Sequence, residues 1–316
     1  FFIFMAIGIL ILGPMSDKYG RKPVLIASIS ISMIFSAACA FAPNITLLIV
    51  ARAASAFGAG GMVAISTALI KDSYEGKAMS KVLSVTQAFM LIAPMLAPVL
   101  GAIILKVADW KMTFIVLAII TGVSLAGAFL LQETLPAKER TQSTTIQTIL
   151  GLRKVAKNPN FSSLLLVGAF ISAPFMAYLA LASYIYIDGF GVSETTFSLY
   201  FAMNAAASIL GPVMYMRFGA GSVKKVINVG IIVAIISAIL ILIVGNTSPI
   251  IFLLSYVLYS IMTSYFRPLI SDLLLSATKT DVGAASSVMN FGFTVIGSIG
   301  MVVGSLQWSS YTGGLA

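Results

Sequence analysis

The stretch Gly13-Pro14-Met15-Ser16-Asp17-Lys18-Tyr19-Gly20-Arg21-Lys22 decides the fold of this chain. The charged side chains of Asp17, Lys18, Arg21 and Lys22 and the hydroxyl of Ser16 crowd into it. Apolar runs flank it on both sides, at Phe1–Leu12 and Val24–Ala42. A short charged loop between long apolar segments marks a chain that turns back at a membrane surface. The remaining sequence agrees. Its 316 residues are 59% hydrophobic and only 9% charged, where a soluble domain carries about a quarter charged residues. Mean hydropathy is +1.04. Val82–Leu105, Met112–Gln132, Phe161–Ile187, Thr195–Met216 and Val226–Phe266 contain no charged residue. A spanning helix needs about 20 apolar residues. Backbone in lipid must satisfy its own hydrogen bonds, so these runs predict helices.

Ten spans are expected, at 1–13, 24–42, 46–70, 82–105, 112–132, 162–184, 196–216, 226–244, 250–271 and 284–306. The formal net charge of +9 is not an invitation to nucleic acid. Alternate loops carry fifteen Lys and Arg residues on one side of the membrane, and the other side has only Lys106 and Lys111. The positive-inside rule places the fifteen in the cytoplasm, which leaves no basic run for nucleic acid. The one cysteine, Cys39, lies in an apolar segment, so no intramolecular disulfide forms. The chain has no histidine, which excludes histidine catalysis, histidine-based zinc sites and histidine proton relays. Neither a metal nor a cofactor is expected. With no nucleophile and base cluster, an enzyme is not expected either.

The Gly-x-x-x-Asp-x-x-Gly-Arg-Lys loop over residues 13–22 resembles the loop between helices 2 and 3 of the major facilitator superfamily of secondary transporters. The resemblance implies an all-α membrane protein of two pseudo-symmetric bundles. The ten spans would then be helices 2 to 11 of twelve, and the chain a fragment without the first and last helices; the alternative is a complete ten-helix protein. The implied division is an N-terminal bundle at 1–132, a cytoplasmic linker at 133–160 and a C-terminal bundle at 161–316. The linker is rich in Thr, Ser, Gln and basic residues, with an amphipathic helix expected near Ile146–Val155.

An internal repeat supports two bundles. Gly13-Pro14 recurs as Gly211-Pro212, Lys71-Asp72 as Ser271-Asp272, and Gly76-Lys77-Ala78-Met79-Ser80 as Gly283-Ala284-Ala285-Ser286-Ser287. Parallel repeats of this kind build the two halves of a major facilitator, with substrate bound between them.

Gly13 lacks a side chain and lets a neighbouring helix approach. Asp17 is placed to accept from free amides at a helix N-terminus, which the resemblance puts near Asp281-Val282-Gly283. The resemblance directs Arg21 to Asp72. Gly13, Asp17, Gly20, Arg21, Lys22 and Asp72 together read as a cytoplasmic gate; the alternative is a solvated loop whose charges only set topology. Arg217 with Asp272 is a possible second gate. Arg52 lies inside a span, where a charge is costly unless paired or hydrated. With the small residues of Ala53–Gly61 it resembles the helix 4 motif of the family, with Ser55 standing where that motif has Gln. The resemblance implies a role in proton coupling; snorkelling to the outer surface is the alternative. Arg267 reads as an interfacial anchor unless it meets Asp272.

Ala93-Pro94-Met95-Leu96-Ala97-Pro98-Val99-Leu100-Gly101 resembles the antiporter motif of helix 5 in bicyclomycin-resistance (Bcr/CflA-type) drug exporters. Pro94, Pro98 and Gly101 predict a kinked, close helix contact. Glu133-Thr134-Leu135-Pro136 fits the same group. Gln87, Met90, Phe175, Tyr178, Asn204, Tyr256 and Asn290 are candidates to line a substrate cavity, or else to serve helix packing. All ten acidic residues fall in loops or at helix ends, so the proton carrier is expected on the absent first helix, with Asp72 or Asp272 as the alternative.

The resemblance implies a multidrug exporter of a bacterial inner membrane, exchanging protons for small amphipathic drugs by alternating access. The partners expected are a drug, protons and the lipid bilayer, and the state expected is a monomer. A proton-coupled carrier of a nutrient or metabolite is the alternative within transport. A non-transporting receptor on the same fold is the alternative outside it.

Overall fold

Long apolar segments with few Gly or Pro breaks close their backbone hydrogen bonds within one helix, and the computed structural model consists of helices joined by short turns over its described residues, 1–140, 152, 153, 155–219, 222–276, 282–306, 308 and 310–316. In the N-terminal part, α1 runs Phe2–Tyr19, α2 Arg21–Ala40, α3 Ile45–Ser73, α4 Gly76–Leu105 and α5 Lys111–Leu130. A short 3₁₀ turn follows at Ala137–Glu139. In the C-terminal part, α6 runs Pro159–Ser183 and continues as a π turn over Tyr184–Gly189. Then come α7 at Glu194–Ser208, α8 at Leu210–Phe218, α9 at Val223–Val244, α10 at Pro249–Ser276, α11 at Val282–Gly304 and the short α12 at Tyr311–Leu315.

Among the described residues, nine helical segments are long and apolar enough to cross a membrane. The 30-residue α4, whose side chains are described only in part, stands outside that count, so ten of twelve spans is not clearly shown. Boundaries move too. The first span is expected to stop at residue 13, but α1 continues through Pro14 to Tyr19. The turn into α2 is Gly20 alone, at φ 102°, a conformation glycine adopts without a Cβ penalty. Asn44 starts α3 by accepting a hydrogen bond from the Leu47 amide at 2.9 Å. The amphipathic helix expected near Ile146–Val155 falls largely outside the described residues.

The chain falls into two compact units. The first takes Phe1–Met79, Ile104–Leu166 and Leu273–Val295. In it α3 packs on α1 and α2, and α5 packs on α2. Leu12, Leu25, Ile29 and Ile65 form its buried apolar cluster. Small residues make the contact close. A Cβ on Gly60 would strike the backbone of Met5 and Ile9, and one on Gly58 the backbone of Ser28 and Ser32. Helices in lipid gain little from burying apolar surface against each other, so this interdigitation is what holds them. The second unit takes Ser80–Ile103, Val167–Asp272 and Ile296–Ala316. Its core is a run of stacked aromatic rings that includes Phe175, Tyr178, Tyr186, Phe201, Phe252 and Tyr256. Each unit therefore draws on both halves of the sequence: most of α4 joins the second, and the start of α11 joins the first.

Candidate functional site

The charged loop at the start of the chain becomes a buried cluster. Arg21 opens α2, and its side chain is only 1% exposed. Its Nε donates to Asp72 Oδ2 at 2.7 Å, and its Nη1 donates to Asp17 Oδ1 at 2.6 Å and to Ser16 Oγ at 2.7 Å. Asp17 lies near the end of α1 and Asp72 near the end of α3, so one guanidinium joins three helices. A buried cation is costly to desolvate, and two carboxylates in hydrogen-bond contact offset that cost. Gly13 is buried in α1, where a Cβ would strike Ser287 Oγ on α11 and come within 3.2 Å of the Ala64 Cβ. Ser286 Oγ on α11 donates to the Ala64 carbonyl at 2.8 Å. The expected partner of Asp17 near Asp281 lies outside the described residues.

Lys22 does not join Asp17 or Asp72. Its Nζ donates to the Phe129 carbonyl at 2.8 Å. Glu133 is the residue that sequence reasoning left without a role. Its carboxylate accepts from the amides of Arg21 and Lys22 at the start of α2. No local pattern announces that contact, because more than a hundred residues separate the partners.

The structure does not bring Arg217 to Asp272. Arg217 is exposed and lies 5.8 Å from the ring centre of Phe218. Asp272 instead accepts from Tyr215 Oη at 2.7 Å and from Ser80 Oγ. The physical reason is helical phase. Tyr215 faces inward on α8, buried to 3% exposure, and Arg217 two residues later points away. Arg267 is buried within α10 and is not at a surface.

Arg52 in α3 is half-buried between two rings, 4.5 Å from the centre of Phe1 and 5.4 Å from that of Phe114. Among the described residues no carboxylate pairs with it. Ser55, buried to 2%, bonds to Ser36 Oγ at 2.9 Å. The side chain of Pro94 is outside the described residues. Pro98 is half-buried in α4. Among the described residues nothing lies within 4 Å of where a Cβ on Gly101 would stand.

Phe175, Tyr178 and Tyr256 gather in the aromatic core of the second unit. The rings of Tyr178 and Tyr256 stack 4.1 Å apart. The hydroxyls of Tyr178, Tyr186, Tyr256, Ser260 and Thr263 are buried in that unit, Tyr178 beside Tyr186, Tyr256 beside Ser260 and Thr263 beside Tyr259. Asn204 is fully buried in α7. Gln87 donates to Ser271 Oγ at 3.2 Å, and among the described residues its Oε1 has no partner. Met90 is half-buried in α4. Asn290 belongs to the first unit, where its Nδ2 donates to the Ser286 carbonyl at 2.9 Å and to Thr67 Oγ1 at 3.3 Å. The candidate cavity residues are thus divided between the units. Among the described residues no group of His, Cys, Asp and Glu could hold a metal ion.

Stacked apolar helices with a buried charge cluster at one end of them define a multi-pass membrane protein. The sequence profile of the Major Facilitator Superfamily matches residues 1–305, and the chain belongs to that family. It is 32% identical over 302 residues to an uncharacterized MFS-type transporter, YdgK, of Bacillus subtilis, covering 93% of this chain and 75% of YdgK. Similarity extends to the multidrug resistance protein MdtM of Escherichia coli O157:H7, 24% identical over 96% of this chain and 75% of MdtM. The multidrug transporter MdfA of Yersinia pestis is 26% identical over 70% of this chain, and the match spans 54% of MdfA. Matches to two Rickettsia transporters likewise span only 52% and 60% of those proteins. Among solved structures, the human organic anion transporter MFSD10 superposes with TM-score 0.80 at 20% identity, covering 99% of this chain and 78% of MFSD10. FucP in its outward conformation superposes with TM-score 0.72 at 16% identity, over 99% of this chain and 84% of FucP. The fold is the all-α major facilitator fold with its pseudo-symmetric bundles.

Proposed function

We propose that the chain is the larger part of a proton-coupled carrier that moves a small organic solute across a bacterial inner membrane by alternating access. The Asp17–Arg21–Asp72 cluster, buried where three helices end, is the observation that carries this reading. A charge cluster of this kind has two discrete states, closed and broken, which alternating access requires. Asp17, Gly13, Gly20, Arg21, Lys22 and Asp72 form its cytoplasmic gate, and Arg52 couples the proton.

A polar nutrient or metabolite is the solute favoured by the lining. The buried interior of the second unit is rich in hydrogen-bonding side chains, among them Tyr178, Tyr186, Asn204, Tyr256 and Ser260, which a polar solute could engage. A site rich in hydrogen-bonding groups discriminates in favour of solutes that satisfy them. Export of amphipathic drugs is the second reading. It is supported by the Ala93–Gly101 motif and by the names of MdfA and MdtM, a multidrug transporter and a multidrug resistance protein.

The deciding experiment uses the full-length protein in inverted membrane vesicles with an imposed proton gradient and a fluorescent pH probe. Sugars, organic acids, chloramphenicol and cationic dyes are added in turn. A solute-induced proton flux that disappears in Arg52→Ala establishes coupled transport and identifies the solute class. Flux with drugs alone replaces the metabolite reading by drug export. No flux with any solute, in a protein that is folded and inserted, removes the carrier reading and leaves the receptor.

A further inference from the structure

Glu133, three residues beyond the end of α5, grips the first turn of α2. Glu133 Oε1 accepts from the Arg21 amide at 2.9 Å and from the Leu135 amide at 3.0 Å. Its Oε2 accepts from the Lys22 amide at 3.2 Å, and Arg140 Nη2 lies 3.6 Å from the same oxygen. Lys22 returns the contact by donating from Nζ to the Phe129 carbonyl, in the last turn of α5. The two helix ends exchange caps, an anion at the amide end of α2 and a cation at the carbonyl end of α5. Each charge has the sign that the aligned peptide dipoles favour.

Helix α2 needs a cap from elsewhere. Its N-cap residue is Gly20, which has no side chain to supply one. Gly20 also keeps the space open: a Cβ there would strike Glu133 Oε2 and crowd the Arg140 guanidinium. The amide that Glu133 holds belongs to Arg21, whose side chain bridges Asp17 and Asp72. Fixing that backbone fixes where the guanidinium reaches.

We propose that Glu133 is a positioning residue for the gate: through the amides of Arg21 and Lys22 it holds Arg21 in register with both carboxylates. The first residues of the linker thereby share the state of the gate. Displacing Glu133, by a partner bound at 133–140 or by a shift of α5, releases Arg21. This inference rests on the proposed role of Arg21 in the gate, and its test separates the two.

The test is made on the full-length protein with Cys39→Ala and Ser287→Cys. Ser287 is fully buried, with its Oγ unpartnered, against Gly13, so a thiol there reports separation of α11 from α1. The rate of N-ethylmaleimide labelling is measured in inverted vesicles. Arg21→Ala should speed labelling about tenfold, since losing a charge-assisted hydrogen bond shifts an equilibrium by at least that factor. Glu133→Ala should do the same, and the double variant should exceed neither single one, because both act on the same side chain. Glu133→Gln, the fallback if Glu133→Ala does not reach the membrane, keeps polar atoms without the charge and should give about a threefold rise.

In a parallel series with Ser287 intact, native Cys39 should stay unlabelled in Glu133→Ala. General loosening would expose it, and that result overturns the proposal. So does a Glu133→Ala rate equal to the parent's, or one that multiplies with Arg21→Ala. If Arg21→Ala itself changes nothing, the gate reading fails and this inference falls with it.

Discussion

Arg21 is the residue on which the most depends. It makes two ion pairs in different directions, Nε to Asp72 and Nη1 to Asp17, from a nearly closed site. Removing one partner of a buried pair leaves charge uncompensated and costs about 3 kcal/mol or more. Asp72→Asn should therefore lower the melting temperature of the purified full-length protein by several degrees, while Asp72→Glu recovers part of the loss. Arg21→Lys should resemble Asp72→Asn, because an ammonium is a single point and cannot serve two separated carboxylates as a guanidinium fork does. Melting of Arg21→Lys indistinguishable from the parent would show that the geometry of the fork is immaterial. The sequence already singled out Asp17, Arg21 and Asp72, since charges beside apolar spans are conspicuous. It placed Glu133 in a motif without giving it a partner, and it paired Arg217 with Asp272, which the structure does not. Both errors concern where a side chain points at a helix end, and a one-residue change in a terminus rotates it by about 100°.

At the scale of the helices, small residues decide how closely α1, α2 and α3 meet. The glycines after Arg52 are read from the sequence as part of a motif, and in the structure Gly58 and Gly60 are contact points against neighbouring backbone. Gly60→Leu should drive α1 away from α3 and cost more than about 4 kcal/mol, the range of severe overpacking and strain. Gly127→Leu in α5 is the matched control. Gly127 is exposed and no described residue stands within 4 Å of its Cβ position, so the change should stay within about 0.5 kcal/mol. Thermal melting with a count of folded protein in the membrane reads both. Equal loss in the two variants would mean that leucine bulk, and not the α1–α3 contact, is the cause. Helix existence was legible from hydropathy alone. The run of α1 past Pro14 to Tyr19 was not, because neighbouring helices and local adjustment tolerate a proline within a membrane helix.

For the molecule as a whole, charge asymmetry predicts which way it faces. With fifteen basic residues on one side and two on the other, Lys138→Cys should react with a membrane-impermeant maleimide in inverted vesicles and stay silent in intact cells. Lys106→Cys, on the opposite side, should give the reverse pattern. Both thiols reacting from one side would break the proposed topology and with it the placement of the gate.

By itself the sequence determined the class of this protein: multi-pass and all-helical, with a charged cluster beside the second span. Those properties follow from composition and from the cost of bare backbone in lipid, and both can be summed along a chain. Only the tertiary structure decided which groups meet. It gave Asp272 to Tyr215 and Ser80, placed Arg52 between two rings, and set Glu133 on the amides of α2. It also grouped α4 with helices of the other half and the start of α11 with α1 and α3. Such pairings join residues up to more than two hundred positions apart. They depend on the rotation and close approach of whole helices, which local pattern does not encode.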